Sequence, residues 1–183
     1  MVILHGLFGS LDNWQTIAKQ LAANFKVYII DQRNHGKSPH TSNMNYDLMA
    51  EDLHVFFAEH GIRIATIIGH SMGGKTAMQF ALEFPDLVEK LVVVDIAPKS
   101  YPLGHEDVFE ALFSIDPEKL DNREEAENLI LPLVSSPHVR QFLLKNLARE
   151  KTGGYRWKMN LPVIHEHYDC LLYTSDAADE SVC

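Results

Sequence analysis

The stretch IIGHSMGGKTAM, residues 67–78, matches two different catalytic motifs. As GxSxG, it presents Ser71 on a sharp strand-to-helix turn, where the serine can attack an acyl carbonyl. As GxxxxGKT, from Gly69 to Thr76, it is a loop whose backbone N–H groups cradle nucleotide phosphates. Both motifs lie between a strand and a helix, so the choice between them depends on the rest of the sequence.

The nucleotide-binding alternative explains only part of the sequence. The apolar run LVVVD, residues 91–95, could end in a Mg²⁺-binding aspartate, with Thr76 on the metal and Lys75 on the phosphates. This alternative assigns no role to the HG pair at residues 5–6 or to DQRNHGKSP at residues 31–39. A P-loop nucleotide hydrolase is therefore the weaker hypothesis.

The serine alternative uses more of the sequence. A helix that begins at about Met72 directs its N-terminal N–H groups and its dipole toward Ser71. The N–H of Met72 would be one oxyanion donor, and the N–H of Leu7, in the HGLFG loop, would be the second. Asp95 ends the neighbouring strand and is the candidate carboxylate of a catalytic triad. Its alternative role is to cap the turn that leaves this strand.

The general base is harder to find. The chain has ten histidines, and none is a convincing partner for Ser71. His70 directly precedes the serine, so the alternation of side chains along a strand predicts that it points away from the serine side chain. His165 and His167 alone are too weak a pattern for a metal site. We predict no metal and no cofactor, and a catalytic histidine that lies beyond this fragment.

The candidate residues follow apolar runs. Four of these runs are continuously apolar, as expected for strands of a parallel sheet that is buried on both faces; they are VILHG (2–6), FKVYIID (25–31), ATIIGHS (65–71) and KLVVVDIA (90–97). Helical patterns separate the runs. We therefore predict a parallel α/β sheet over residues 1–98, with the ligand site outside the carboxyl ends of the strands.

The pattern changes after residue 98. HEDVFEALFSI, REEAENLILPLV and PHVRQFLLKNLARE predict three amphipathic helices, and a turn with a short extended piece follows. Residues 99–169 are thus expected to form a helical lid over the strand ends, and residues 170–183 a non-native tail. The residues expected to contact substrate in an apolar acyl pocket are Phe8, Phe109, Phe142 and Trp157. The alternative is that they only pack the lid on the sheet.

Four blocks carry a family resemblance: HGLFGSLDNW, DQRNHGKSP, GHSMGGKTAM and LVVVDIAP. In this order and at this spacing they resemble the α/β-hydrolase superfamily, and within it the YbfF-type esterases, over residues 2–169. The resemblance implies a mostly parallel sheet with a helical lid, and hydrolysis of carboxylic esters or acyl thioesters. It supports Asp95 as the triad acid and makes Lys75 structural. The chain would then be truncated at both ends.

Composition limits the classes of partner. The net charge of −9, without a basic stripe, argues against nucleic acid. No apolar run reaches the ~18 residues of a membrane span. We predict a small-molecule acyl ester or thioester as substrate, in the cytoplasm, or in an organelle matrix if a targeting segment precedes Met1. The alternative from another functional class is a non-catalytic fragment or binding module.

Overall fold

The computed structural model describes residues 1–102 and 104–172. Its central sheet has four parallel strands in the order β2-β1-β3-β4. These are β1 (Val2–Leu4), β2 (Tyr28–Ile30), β3 (Ala65–His70) and β4 (Val88–Val94). Each strand overlaps one of the four apolar runs, so the predicted parallel α/β sheet is confirmed. The expected burial on both faces is wrong for β4, which is an edge strand and is largely exposed.

Three helices connect these strands: α1 (Gln15–Leu21), α2 (Tyr46–Glu59) and α3 (Met72–Glu83). The side chain of Asn45 caps α2 by accepting a hydrogen bond from the N–H of Leu48 at 2.9 Å. Apolar side chains of α2 and α3 pack with those of β1 and β3 in a buried cluster that includes Leu4, Leu53, Phe57, Ile67 and Phe80. This packing fixes α3, and with it the turn that leads into α3.

Residues 104–172 form a second set of elements, which we call the helical block. It contains α4 (Glu106–Phe113), α5 (Arg123–Ile130), α6 (Pro137–Leu144), β5 (Leu147–Arg149), β6 (Tyr155–Trp157), α7 (Leu161–Glu166) and α8 (Tyr168–Leu172). The first three helices coincide with the three predicted ones. No helix within the described residues is long and apolar enough to cross a membrane.

One predicted element is wrong. The third helix was expected to run through Leu147–Arg149, but α6 ends at Leu144, and Leu147–Arg149 pairs antiparallel with Tyr155–Trp157. The hairpin turn between the two strands contains Gly153 and Gly154, whose φ angles are 103° and 69°. Glycine adopts such angles without steric cost, and the resulting hairpin replaces the end of the helix.

The helical block and the sheet share buried side chains. Phe8 and Met72, which flank the carboxyl ends of β1 and β3, belong to the same apolar cluster as Leu112, Ile130 and Leu147 of the block.

The division at residue 98 remains a prediction. Of the predicted tail, residues 170–172 complete α8, and residues 173–183 lie outside the described residues.

Candidate active site

Ser71 occupies a single-residue turn between β3 and α3. Its φ of 50° and ψ of −119° are unfavourable for a side chain with a Cβ atom. Its N–H donates to the carbonyl of Val94 at 3.0 Å, and its own carbonyl accepts from the N–H of Gly74 at 2.8 Å. The turn is thus held from both sides, while the hydroxyl of Ser71 makes no capping hydrogen bond.

Close backbone contacts explain the glycines beside Ser71. A Cβ atom on Gly69 would lie 2.2 Å from the carbonyl oxygen of Gly73, and one on Gly73 would lie 2.5 Å from the carbonyl oxygen of His5. Only glycine fits at such distances, because backbone atoms cannot move aside as a flexible side chain can. Both positions of the GxSxG motif therefore require glycine.

The loop after β1, residues 5–9, lies directly against the serine turn. We call it the Gly6 loop. A Cβ atom on Gly6 would lie 3.2 Å from the Cβ of Ser71, and the N–H of Gly9 donates to the carbonyl of Gly6 at 2.9 Å. Among the described residues, the N–H groups of Leu7 and Met72 find no hydrogen-bond acceptor. Leu7 and Met72 directly follow Gly6 and Ser71, the two residues in contact, so both candidate donors lie near the serine turn.

A cavity of about 330 Å³ opens beside Ser71. Its walls are largely apolar and include Leu7, Trp14, Ile17 and Phe142. Of the described residues, no lysine or arginine lines it. Such a site suits an uncharged, apolar group next to the serine hydroxyl.

The four predicted substrate contacts separate into two groups. Phe142 lines the cavity with Ser71. Phe8 and Phe109 are only 4% and 3% exposed, and their rings pack edge to face at 5.3 Å between centroids. Trp157 packs against the same buried cluster. These three residues do not line the cavity, and their contact with substrate stays a prediction.

Asp95 lies beside the serine turn. The register of β3 and β4 pairs His70 with Val94, so Ser71 and Asp95 are the next two residues along these strands. Asp95 has a φ of 56°, and its side chain is 89% exposed. Its carboxylate lies 4.0 Å from Nε2 of His70, which is too far for a hydrogen bond.

His70 is not where strand alternation predicted it. It lines the same cavity as Ser71, and its ring packs edge to face with Trp14 at 6.3 Å between centroids. Alternation of side chains assumes an extended backbone, and the positive φ of Ser71 ends that regularity. The prediction that His70 points away from the serine side chain is therefore wrong.

Two other histidines are buried and neutral. In His5, Nε2 accepts from the N–H of Gln32 at 3.0 Å, so Nδ1 carries the proton and donates to the carbonyl of Gly6 at 2.9 Å. Burial lowers the pKa of His5 to about 4 and that of His35 to about 3. His5 has no free ring nitrogen for a proton transfer.

Among the described residues, no group of three or more His, Cys, Asp or Glu side chains could hold a metal ion.

The structure contradicts the nucleotide-binding alternative. The helix α3 begins at Met72, so no extended phosphate-binding loop separates Gly69 from Lys75. The buried amine of Lys75 donates to the carbonyls of Leu172 at 2.6 Å and Leu171 at 3.3 Å. It is thus occupied by the end of α8, and the P-loop hypothesis is wrong.

Comparisons with known proteins agree with this geometry. The sequence model of a family described as "alpha/beta hydrolase fold" matches residues 1–172. The chain is 39% identical over 169 residues to a putative esterase/lipase of Haemophilus influenzae, covering 92% of this chain and 58% of that protein. It is 37% identical over 169 residues to esterase YbfF of Escherichia coli, covering 92% and 65%.

A solved structure of a marine microorganism esterase superposes with a TM-score of 0.92 at 47% identity, over 94% of this chain and 68% of that one. The chain spans less than two thirds of the length of the two curated relatives above. The parallel sheet, the serine turn and these matches lead to one conclusion: the chain belongs to the α/β-hydrolase fold family.

Proposed function

We propose that this chain carries the nucleophile and the oxyanion site of a serine hydrolase that cleaves carboxylic esters or acyl thioesters. The observation that supports this most directly is the environment of Ser71. Its hydroxyl lies at an apolar cavity, in a backbone conformation that few residues tolerate, beside two unpaired backbone N–H groups. Strained residues of this kind concentrate at functional sites.

Each residue then has a role in acyl transfer. The hydroxyl oxygen of Ser71 attacks the carbonyl carbon of the substrate while a base takes its proton, and an acyl-enzyme forms on Ser71 as the alcohol or thiol leaves. The N–H groups of Leu7 and Met72 hydrogen-bond the oxyanion as its charge develops, and the N-terminus of α3 adds a favourable dipole. Water then hydrolyses the acyl-enzyme.

The base is a histidine that Asp95 orients. No described histidine is hydrogen-bonded to Asp95, and the nearest, His70, lies 4.0 Å away. That the base is a histidine beyond this fragment stays a prediction from the sequence. The exposed carboxylate of Asp95, next to Ser71 in register, is positioned to receive it. The helical block would act as the lid, and the reaction would take place in the cytoplasm or an organelle matrix.

Covalent labelling of Ser71 tests this proposal. In a protein that contains this chain together with its histidine base, a fluorophosphonate probe is expected to react, and mass spectrometry is expected to place the adduct on Ser71. Ser71→Ala should lose the adduct, whereas Ser42→Ala, which alters an exposed serine, should keep it. Equal labelling of Ser71→Ala and the unaltered chain would contradict the proposal. If that base-containing protein is folded by circular dichroism but unlabelled, the non-catalytic alternative is favoured.

A further inference from the structure

Asn146 connects the helical block to the Gly6 loop. It lies between α6 and β5 and is 3% exposed. Its side-chain amide nitrogen donates to the carbonyl of Phe8 at 2.8 Å and to the carbonyl of Leu143 at 3.1 Å. One side chain of the block therefore hydrogen-bonds the backbone of the loop that carries the N–H of Leu7.

Phe8 is the constrained residue of this loop. Its φ is 58°, a region that an aromatic residue rarely occupies. Its ring is buried against Phe109 of α4, so the block holds both the side chain and the carbonyl of Phe8. Such a backbone conformation is unfavourable and persists only where surrounding contacts impose it.

Asn146 is itself held on two sides. Its N–H donates to the carbonyl of Leu143 in α6 at 3.1 Å, and its carbonyl accepts from the N–H of Lys158, just after β6, at 2.7 Å. The position of its amide therefore depends on both α6 and the hairpin. A shift of the block away from the sheet would withdraw this donor from Phe8.

We propose that Asn146 is a positioning residue for the oxyanion site. By holding the carbonyl of Phe8, it keeps Phe8 in its left-handed conformation and keeps the preceding N–H of Leu7 directed at Ser71. The oxyanion site is then complete only when the helical block is docked. This inference rests on the proposed function, in which Leu7 is an oxyanion donor.

The test uses two substitutions of Asn146 and one matched control. Asn146→Asp keeps the shape and removes the donor, and Asn146→Ala removes the amide without adding a charge. The control is Asn122→Ala, which also removes a hydrogen-bonded asparagine of the block. Asn122 caps α5 by accepting from the N–H of Glu125 at 2.9 Å.

Three measurements are made on each protein: thermal midpoint, amide hydrogen exchange of peptides that cover residues 5–10, and the rate of fluorophosphonate labelling of Ser71. Both Asn146 variants are expected to exchange faster in residues 5–10 and to be labelled about tenfold more slowly or worse, because small displacements of catalytic groups have large effects on rate. Asn122→Ala should lower the thermal midpoint without either change.

Unchanged exchange in residues 5–10 in whichever Asn146 variant folds would overturn the inference. Equal slowing of labelling by Asn122→Ala would also overturn it, because general loosening of the block would then explain the loss. Labelling is measured in the protein that contains the histidine base. If Ser71 is not labelled there without any substitution, the proposed function fails, but exchange still decides this contact. Faster exchange in the Asn146 variants alone would then support the coupling of block and loop.

Discussion

Within the described residues, four non-glycine residues have a positive φ, and each follows a different strand of the central sheet. Phe8 follows β1, Asn34 follows β2, Ser71 follows β3 and Asp95 follows β4. These unfavourable conformations are therefore gathered at the carboxyl edge of the sheet, where ligands bind in parallel α/β folds. Strained backbone conformations of this kind concentrate at functional sites.

The substitution Gly69→Ala tests how tightly the backbone packs at the carboxyl edge of the sheet. The added methyl group would lie 2.2 Å from the carbonyl oxygen of Gly73, within the backbone of α3. We expect a loss of about 1–3 kcal/mol or more in the free energy of unfolding, measured by urea denaturation. The control is Gly104→Ala, whose methyl group would meet only the carbonyl of Pro102 at 3.9 Å. Equal midpoints for the two variants would contradict the prediction.

The sequence predicts some residues of the candidate site and not others. Motif and spacing were enough to predict Ser71 and the candidate N–H donors of Leu7 and Met72, because these residues lie within short stretches of the chain. Asn146 could not be predicted, because its contact with Phe8 joins residues 138 positions apart and leaves no local pattern. His70 was misplaced because a single strained residue ended the strand alternation.

At the scale of elements, α2 depends on its cap. The side chain of Asn45 accepts from the N–H of Leu48 at 2.9 Å, at the start of a helix that buries Leu53 and Phe57. Asn45→Ala is expected to lower the free energy of unfolding by about 1 kcal/mol. Asn43→Ala is the control, since only the backbone carbonyl of Asn43 is hydrogen-bonded. Urea denaturation of both variants measures whether the cap contributes to the free energy of unfolding.

Continuous apolar runs predicted the strands of the sheet, and helical periodicity predicted the first helices of the block. The periodicity failed at Leu147–Arg149, as the helix was expected to continue there. The segment KNLARE consists largely of good helix formers, but cross-strand pairing with Tyr155–Trp157 overrides this propensity. The paired glycines at 153–154 were the available signal, since a hairpin turn needs residues that accept positive φ.

At the scale of the whole molecule, the sheet and the helical block are not independent. One apolar cluster contains Phe8 and Met72 from the serine side and Leu112, Ile130 and Leu147 from the block. Ordering of the loop that carries Leu7 therefore depends on the same packing that stabilises the block. Folding of the block and completion of the candidate site are expected to be coupled.

Two buried histidines give the whole molecule a specific pH dependence. The rings of His5 and His35 lie 5.1 Å apart, and burial lowers their pKa values to about 4 and about 3, from 6.5 when exposed. The unfolded chain therefore binds more protons than the folded chain below pH 6.5. Their contribution to stability is complete above pH 6.5 and is lost as the pH falls toward 4 and 3, by at most about 1.4 kcal/mol per pH unit for each histidine.

A substitution that keeps the hydrogen bond isolates this effect. Nδ1 of His35 lies 3.0 Å from the carbonyl of Arg33, and the side-chain amide of asparagine in His35→Asn can donate to the same carbonyl without titrating. Urea denaturation between pH 7.5 and 4.5 should show a shallower loss of stability in His35→Asn than in the unaltered chain. His138→Asn, at an exposed position, should follow the unaltered chain. Parallel curves for all three proteins would mean that His35 is already protonated in the folded state, contrary to its burial.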